Sequence, residues 1–183
     1  TEKGASYLVE EGTTRKYVSV PLEEFCKNRI RRLEESKKWL VSHEPTEKTH
    51  LEGYITIEGA NHILDKMRNL LSQVEKRVYI TCTRNYLLLL VRELEELMES
   101  KKKVVIITDQ PATFENAKVY VGENRGMQIG IIADSKYVLT GEYGEGSMNT
   151  CLYSGQKNFV ELYKTALSNE IKLLSIREEN KNV

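Results

Sequence analysis

The sequence has no apolar run long enough to cross a bilayer. Its longest, such as YLLLLV at residues 86–91, falls far short of the roughly 20 residues that a spanning helix needs. Nothing at the start resembles a signal peptide, and no membrane partner is expected. Cysteine is scarce and unpatterned: Cys26, Cys82 and Cys151 are odd in number and lack CxxC spacing, which argues against a disulfide framework or a zinc site. Buried structural thiols in a reducing cytoplasm are the simpler expectation. The histidines, His43, His50 and His62, include no pair at metal-ligand spacing, so neither a metal nor a cofactor is expected. A surplus of one charge is lacking as well. Twenty-seven basic residues offset twenty-seven acidic ones, and a formal net charge of +0 gives no global attraction to nucleic acid. Any such contact must come from a local patch.

The 183 residues suit one domain of ordinary size plus an appendage. Residues 1–20 alternate toward β structure around Gly12, Thr13 and Thr14, which predicts a hairpin of residues 7–10 against 16–20. A two-stranded hairpin is marginal alone in water, so the chain is expected to begin inside a larger unit. Pro21 suits the first position of a helix, and Glu23 and Glu24 suit its first turn, where the dipole favours anions. That helix is expected over residues 21–43, stopping before Pro45. Along it Cys26, Ile30, Leu33, Lys37 and Leu40 follow a 4-3-4-3 spacing, the seam of a short coiled coil. The helix either pairs with a second copy or packs on its own domain. Residues 45–50 are polar and aperiodic and read as a linker.

From residue 51 strands and helices alternate. Strands are expected at 54–57, 78–82, 104–108, 118–121, 128–132, 137–140 and 150–153, and helices at 60–76, 84–101 and 156–176, with Thr83 an N-cap. The expected fold class is α/β or α+β: a mixed sheet with flanking helices over residues 51–176, then a frayed tail at 177–183.

The most informative stretch is MQIGIIADSKYVLTG, residues 127–141, a predicted hairpin turning on Asp134, Ser135 and Lys136. Laid over the phospholipase D motif, HxKxxxxD followed by six residues and GSxN, it is similar at Asp134 and Gly141. Elsewhere it departs: Met127 stands at the His position, Ile129 at the Lys, and Glu142 and Gly144 at the Ser and Asn. A phosphodiesterase of that type needs an imidazole to attack phosphorus and a cation to hold the oxyanion. Met and Ile supply neither, so the chain is expected to be no enzyme and to have no catalytic residue.

Segment order adds to this. The run RKYVSVPLEE at residues 15–24, a coiled-coil helix, and IEGANHIL at residues 57–64 opening a phospholipase-D-like domain together resemble the TrmB family, sugar-responsive transcriptional regulators of archaea and bacteria. The resemblance implies a DNA-binding winged helix-turn-helix domain of which residues 1–20 are the end. It also implies a homodimerising helix at 21–44, and an effector-binding domain that keeps the phospholipase D architecture without its catalysis. Arg15 and Lys16 at the wing would contact DNA phosphate, the alternative being an ordinary solvated hairpin tip. The implied effector is a small molecule, with sugars among the candidates.

In open sheets, ligands gather where strands end and helices begin. That rule selects Gly59 and Asn61, Arg84 and Asn85, Asp109, and the Glu142–Tyr143 loop leading to Tyr153. Each has a plainer role to set beside it: Asn61 a helix cap, Asp134 a turn residue, the Gly-rich loop a flexible connection. Two competing functions remain open. One is a phosphodiesterase or nuclease with a displaced active site using His62 or Glu142; the other is a domain that only holds a dimer together.

Overall fold

The computed structural model describes residues 4–44, 53–145 and 148–181. It divides the chain into two compact units, Thr1–His50 and Leu51–Val183. The linker expected at 45–50 lies outside the described residues.

In the first unit β1 (Ser6–Glu11) pairs antiparallel with β2 (Thr14–Ser19) around Gly12 and Thr13. Pro21 then leads into α1 (Leu22–Ser42), whose first turn carries Glu23 and Glu24. The Tyr7 hydroxyl donates to Glu24 Oε1 at 2.5 Å, tying hairpin to helix. α1 buries none of its side chains, so Cys26 is exposed and not the buried thiol expected.

The second unit is a seven-stranded mixed sheet in the order β3-β9-β8-β7-β4-β5-β6. Its strands are β3 (Tyr54–Glu58), β4 (Arg77–Thr81), β5 (Lys103–Thr108), β6 (Ala117–Val121), β7 (Gln128–Ala133), β8 (Tyr137–Glu142) and β9 (Thr150–Ser154). β4, β5 and β6 run parallel; the other neighbours are antiparallel. Helices α2 (Ala60–Ser72), α3 (Arg84–Leu87) and α4 (Val91–Glu99) lie on one face, and α5 (Lys157–Lys181) on the other. Strand alternation divides the core. Ile80, Ile106, Ile129 and Ile131 pack with Ile63, Leu71, Leu87 and Leu94 on the first face, whereas Val105, Ile107, Ile132 and Val138 meet Val160, Leu167 and Leu174 of α5 on the second.

Three element ends depart from expectation. α2 stops at Ser72 and not at residue 76, because the backbone N–H groups of Glu75 and Lys76 are taken by Asp134. The expected helix over 84–101 is interrupted by a 3₁₀ turn at Leu88–Leu90, and this tighter winding puts Leu87 and Leu90, three apart, both into the core. α5 continues through Lys181, so residues 177–181 are helical where fraying was expected; Arg and Glu are good helix formers, and Arg177 pairs with Glu123 at 3.6 Å.

Candidate functional site

Strand pairing brings the C-terminal ends of β3, β4, β5 and β8 to one end of the sheet. Gly59, Asn61, Arg84, Asn85, Asp109, Glu142 and Tyr143 stand at that end. Tyr153 does not join them. It pairs with Leu139 and Ile55 toward the opposite end, where its ring stacks on Tyr137 at 5.7 Å and Lys66 Nζ lies 3.8 Å from its centre. Nor do the other seven converge on one point. β3 and β5 are separated by five strand spacings, about 24 Å at roughly 4.8 Å each, so Gly59 and Asn61 occupy one region and Asp109 another.

Several of these groups already hold the fold together. Asp109 Oδ1 accepts the Arg84 N–H at 2.8 Å and the Thr108 hydroxyl at 3.3 Å, so α3 is capped from β5 and not by the Thr83 side chain. Gly59 donates its N–H to Asn149 O at 2.9 Å, and Tyr143 donates its own to Met127 O at 2.8 Å while its ring meets Tyr86 edge-on at 5.2 Å. Asn61 and Asn85 are exposed.

Asp134 shows the clearest electrostatic role. It sits in the β7–β8 turn with φ +51°, followed by Ser135 at +56°. Its Oδ2 accepts the Glu75 N–H at 2.7 Å, and its Oδ1 accepts those of Lys76 at 2.8 Å and Arg77 at 2.9 Å. Burial alone would raise its pKa, but these three donors and nearby Lys136 outweigh that and hold the carboxyl below its ordinary value. The residue at the Asp position of the motif thus staples the α2–β4 loop to the hairpin.

At the other motif positions Met127 is 38% exposed and Ile129, at 2%, is part of the core. Gly141 allows β8 and β9 to approach: a Cβ there would press on Thr150 O and come within 2.6 Å of Cys151 Cα. Among the described residues no group of three His, Cys, Asp or Glu side chains could hold a metal, and no helix is long and apolar enough to cross a membrane.

A cleft of about 560 Å³ opens at the same sheet end, between α5 and the strands. Thr81, Gly130 and Thr140 lie in register across β4, β7 and β8 beneath it, and Tyr163, Leu167 and Glu170 of α5 close it from above. Glu142 is the one expected site residue that lines it. Arg125, Gln128, Thr140, Tyr163 and Glu170 were missed. A signal existed for two of them, since Tyr163, Ala166, Leu167 and Glu170 fall at i, i+3, i+4 and i+7 on one helix face; nothing local marks Arg125.

In the first unit Arg15 is exposed and pairs with Glu10 at 3.0 Å, and Lys16 follows it on β2. On α1, Ile30, Leu33 and Leu40 are 57%, 70% and 62% exposed, with Cys26 and Lys37 also at the surface.

No protein-family model matches the chain, and no curated protein matches it by sequence. Solved structures match it by shape. TrmBL2, an archaeal chromatin protein described as binding DNA, is 16% identical with a TM-score of 0.58, covering 93% of this chain and 77% of its own. NucT from Helicobacter pylori is 15% identical with a TM-score of 0.51, covering 66% of this chain and 97% of its own. Nuc from Salmonella typhimurium, a phospholipase D family member, is 9% identical with a TM-score of 0.50, covering 64% of this chain and 92% of its own. The expectation that the chain is no enzyme is overturned by these last two, since the architecture is one that phospholipase D family members carry; Met127 and Ile129 bear on one catalytic motif only. The second unit has the phospholipase-D-like fold, a seven-stranded mixed sheet flanked by helices.

Proposed function

We propose that the chain is part of a TrmB-like DNA-binding regulator, in which the first unit serves DNA contact and pairing and the second binds a small-molecule effector. The observation that carries this reading is coverage. Leu51–Val183 makes up fewer than three quarters of the chain, so a likeness covering 93% of it must extend well into the first unit. The likenesses to NucT and Nuc, at 66% and 64%, need not. Most of the first unit is thus included in the likeness to a protein described as binding DNA. On this reading Arg15 and Lys16 touch phosphate, and Cys26, Ile30, Leu33, Lys37 and Leu40 form the seam of a homodimer, which would cover apolar side chains that α1 leaves exposed. Effector binding biases one arrangement of the pair over another, and the coupling to DNA is reciprocal.

A thermal-shift screen against sugars, sugar phosphates, nucleotides and amino acids tests the sensing role, because a ligand that binds only the folded state raises the melting temperature. A dose-dependent rise with one class supports the reading. A flat screen on folded protein contradicts it and favours a domain that only holds a dimer.

The shared fold of Nuc and NucT favours a second reading, a phosphodiesterase working away from the motif. Its candidate groups are His62, exposed with Nδ1 3.1 Å from Glu58 O, and Glu142. Turnover of bis(p-nitrophenyl) phosphate that falls on the order of 100-fold in His62→Ala or Glu142→Gln would establish it, and turnover indifferent to both changes would refute it.

A further inference from the structure

The cleft beneath α5 has a composition that selects among ligand chemistries. We propose that it binds a small zwitterion, a free amino acid with an apolar side chain, and that this is where the effector of the proposed regulator sits; the inference rests on that functional reading.

One guanidinium, Arg125, and two carboxylates, Glu142 and Glu170, line the cleft. Arg125 is ion-paired with Glu170, and their side chains are only 30% and 26% exposed, so this charge pair is partly removed from water. A phosphate or sugar phosphate would meet two carboxylates for one cation, and a simple diamine would meet the guanidinium. A neutral polyol would hydrogen-bond to these groups without matching their opposite charges, and the Thr140 hydroxyl is already hydrogen-bonded to the Tyr163 hydroxyl and to Ile129 O. A ligand carrying a carboxylate and an ammonium a few ångströms apart uses both signs. The Arg125 fork presents five donors, of which the pair with Glu170 occupies part, leaving a face for a carboxylate. Glu142, for which no ion pair is found among the described residues, takes the ammonium.

Backbone pairing brings the two residues, Arg125 and Glu142, near each other. Gln128 pairs directly with Glu142 across β7 and β8, and the Gln128 N–H donates to Arg125 O at 3.2 Å, so the two charges flank a single residue. Opposite them Leu162, Ala166 and Leu167 offer an apolar wall for the ligand's side chain. The floor adds an independent sign. Thr81 is 8% exposed, and its Oγ1 is buried without a hydrogen-bond partner among the described residues, a condition that native interiors rarely leave unmet. Beside it Gly130 lets the Thr81 and Tyr163 side chains close over β7, since a Cβ there would stand 2.7 Å from Thr81 Cγ2 and 3.7 Å from Tyr163 Cε1.

The test is calorimetric titration of the whole chain with the standard L-amino acids, and with maltose, glucose 6-phosphate, inorganic phosphate and putrescine as comparators. Binding is expected for one or more of Leu, Ile, Val, Met and Phe. Affinity should fall about 10- to 100-fold in Arg125→Met and in Glu142→Gln, in proportion to losing a charged hydrogen bond. Arg92→Ala, on α4 at the other face of the sheet, should leave it unchanged. Circular dichroism confirms folding, and Glu142→Gln keeps the test decisive if Arg125→Met fails to fold. Binding of maltose or glucose 6-phosphate with the amino acids silent would overturn the zwitterion assignment and leave the sensing role standing. Amino-acid binding lost in Arg92→Ala but kept in Glu142→Gln would move the site out of this cleft. Silence from every compound, on folded protein, would overturn both readings.

Discussion

Replacing Asp134 by Asn should separate the charge of this side chain from its shape, because Asn tolerates the left-handed conformation that φ +51° requires. One oxygen remains and can still serve Lys76 and Arg77, but the new amide NH₂ faces the Glu75 N–H, which Oδ2 now accepts at 2.7 Å. One charge-assisted hydrogen bond is lost and two become neutral. A hydrogen bond to a charged group contributes about 1.5–3 kcal/mol and a neutral one roughly half as much. Glu75, Lys76 and Arg77 are exposed, so water replaces part of the loss and the lower end applies, giving a destabilisation of about 3 kcal/mol. Asp134→Ala removes all three acceptor contacts and adds the left-handed penalty of roughly 1 kcal/mol, for a total on the order of 5 kcal/mol. Urea denaturation followed by circular dichroism reads both values. The pH dependence supplies a second check. The folded-state pKa of Asp134 lies below its ordinary value, so its stabilisation is fully present above the unfolded carboxyl range, near pH 4, and is lost as pH falls through the folded-state pKa. The gap between the wild type and Asp134→Asn should therefore be widest at neutral pH and close toward pH 2. An Asn variant as stable as the wild type at pH 7, or a gap that does not change with pH, would refute the stapling role.

Cys26 should report on the paired helix. If two copies of α1 meet in parallel with Cys26 in the seam, mild oxidation should give a covalent dimer that Cys26→Ser abolishes; an oxidised sample that stays monomeric would refute that seam. Cys82 and Cys151 should not contribute, because burial, aided at Cys82 by the Asp109 charge, pushes their thiols up to about 12 and about 11. Gly141→Ala should be severe, on the order of 3 kcal/mol, since the added Cβ meets the backbone of β9 and not a flexible side chain. Gly12→Ala, with φ +61° and nothing within 4 Å, should lose only about 1 kcal/mol; equal losses in the two variants would contradict the close-approach explanation.

The order of strands and helices was readable because each element carries its own pattern. β7 and β8 are short runs rich in Ile, Val and Leu on either side of a turn rich in Asp and Ser, and α2 repeats Ile63, Met67, Leu70 and Leu71 on one face. The 3₁₀ break at Leu88–Leu90 was not readable, since a run of leucines satisfies every helical phase at once. Lateral strand order was not readable either: nothing in the sequence places β3 at one edge and β5 five spacings away, and that distance divides the expected ligand set. Asp134 could be aligned to a motif, but its hydrogen-bond partners lie 57 to 59 residues earlier in the chain, so its stapling role emerges only in three dimensions. The same holds for Arg125, whose partner Glu170 belongs to another element.

The most direct test of the proposed regulator is fluorescence anisotropy of a labelled duplex DNA titrated with the chain over a range of salt concentrations, for the wild type and for Arg15→Ala/Lys16→Ala. The regulator reading predicts binding that weakens as salt rises and a salt slope lower by about 2 in the double variant, one per phosphate contact removed. No binding at low salt, or binding that the double variant leaves unchanged, would contradict the assignment of the hairpin to DNA.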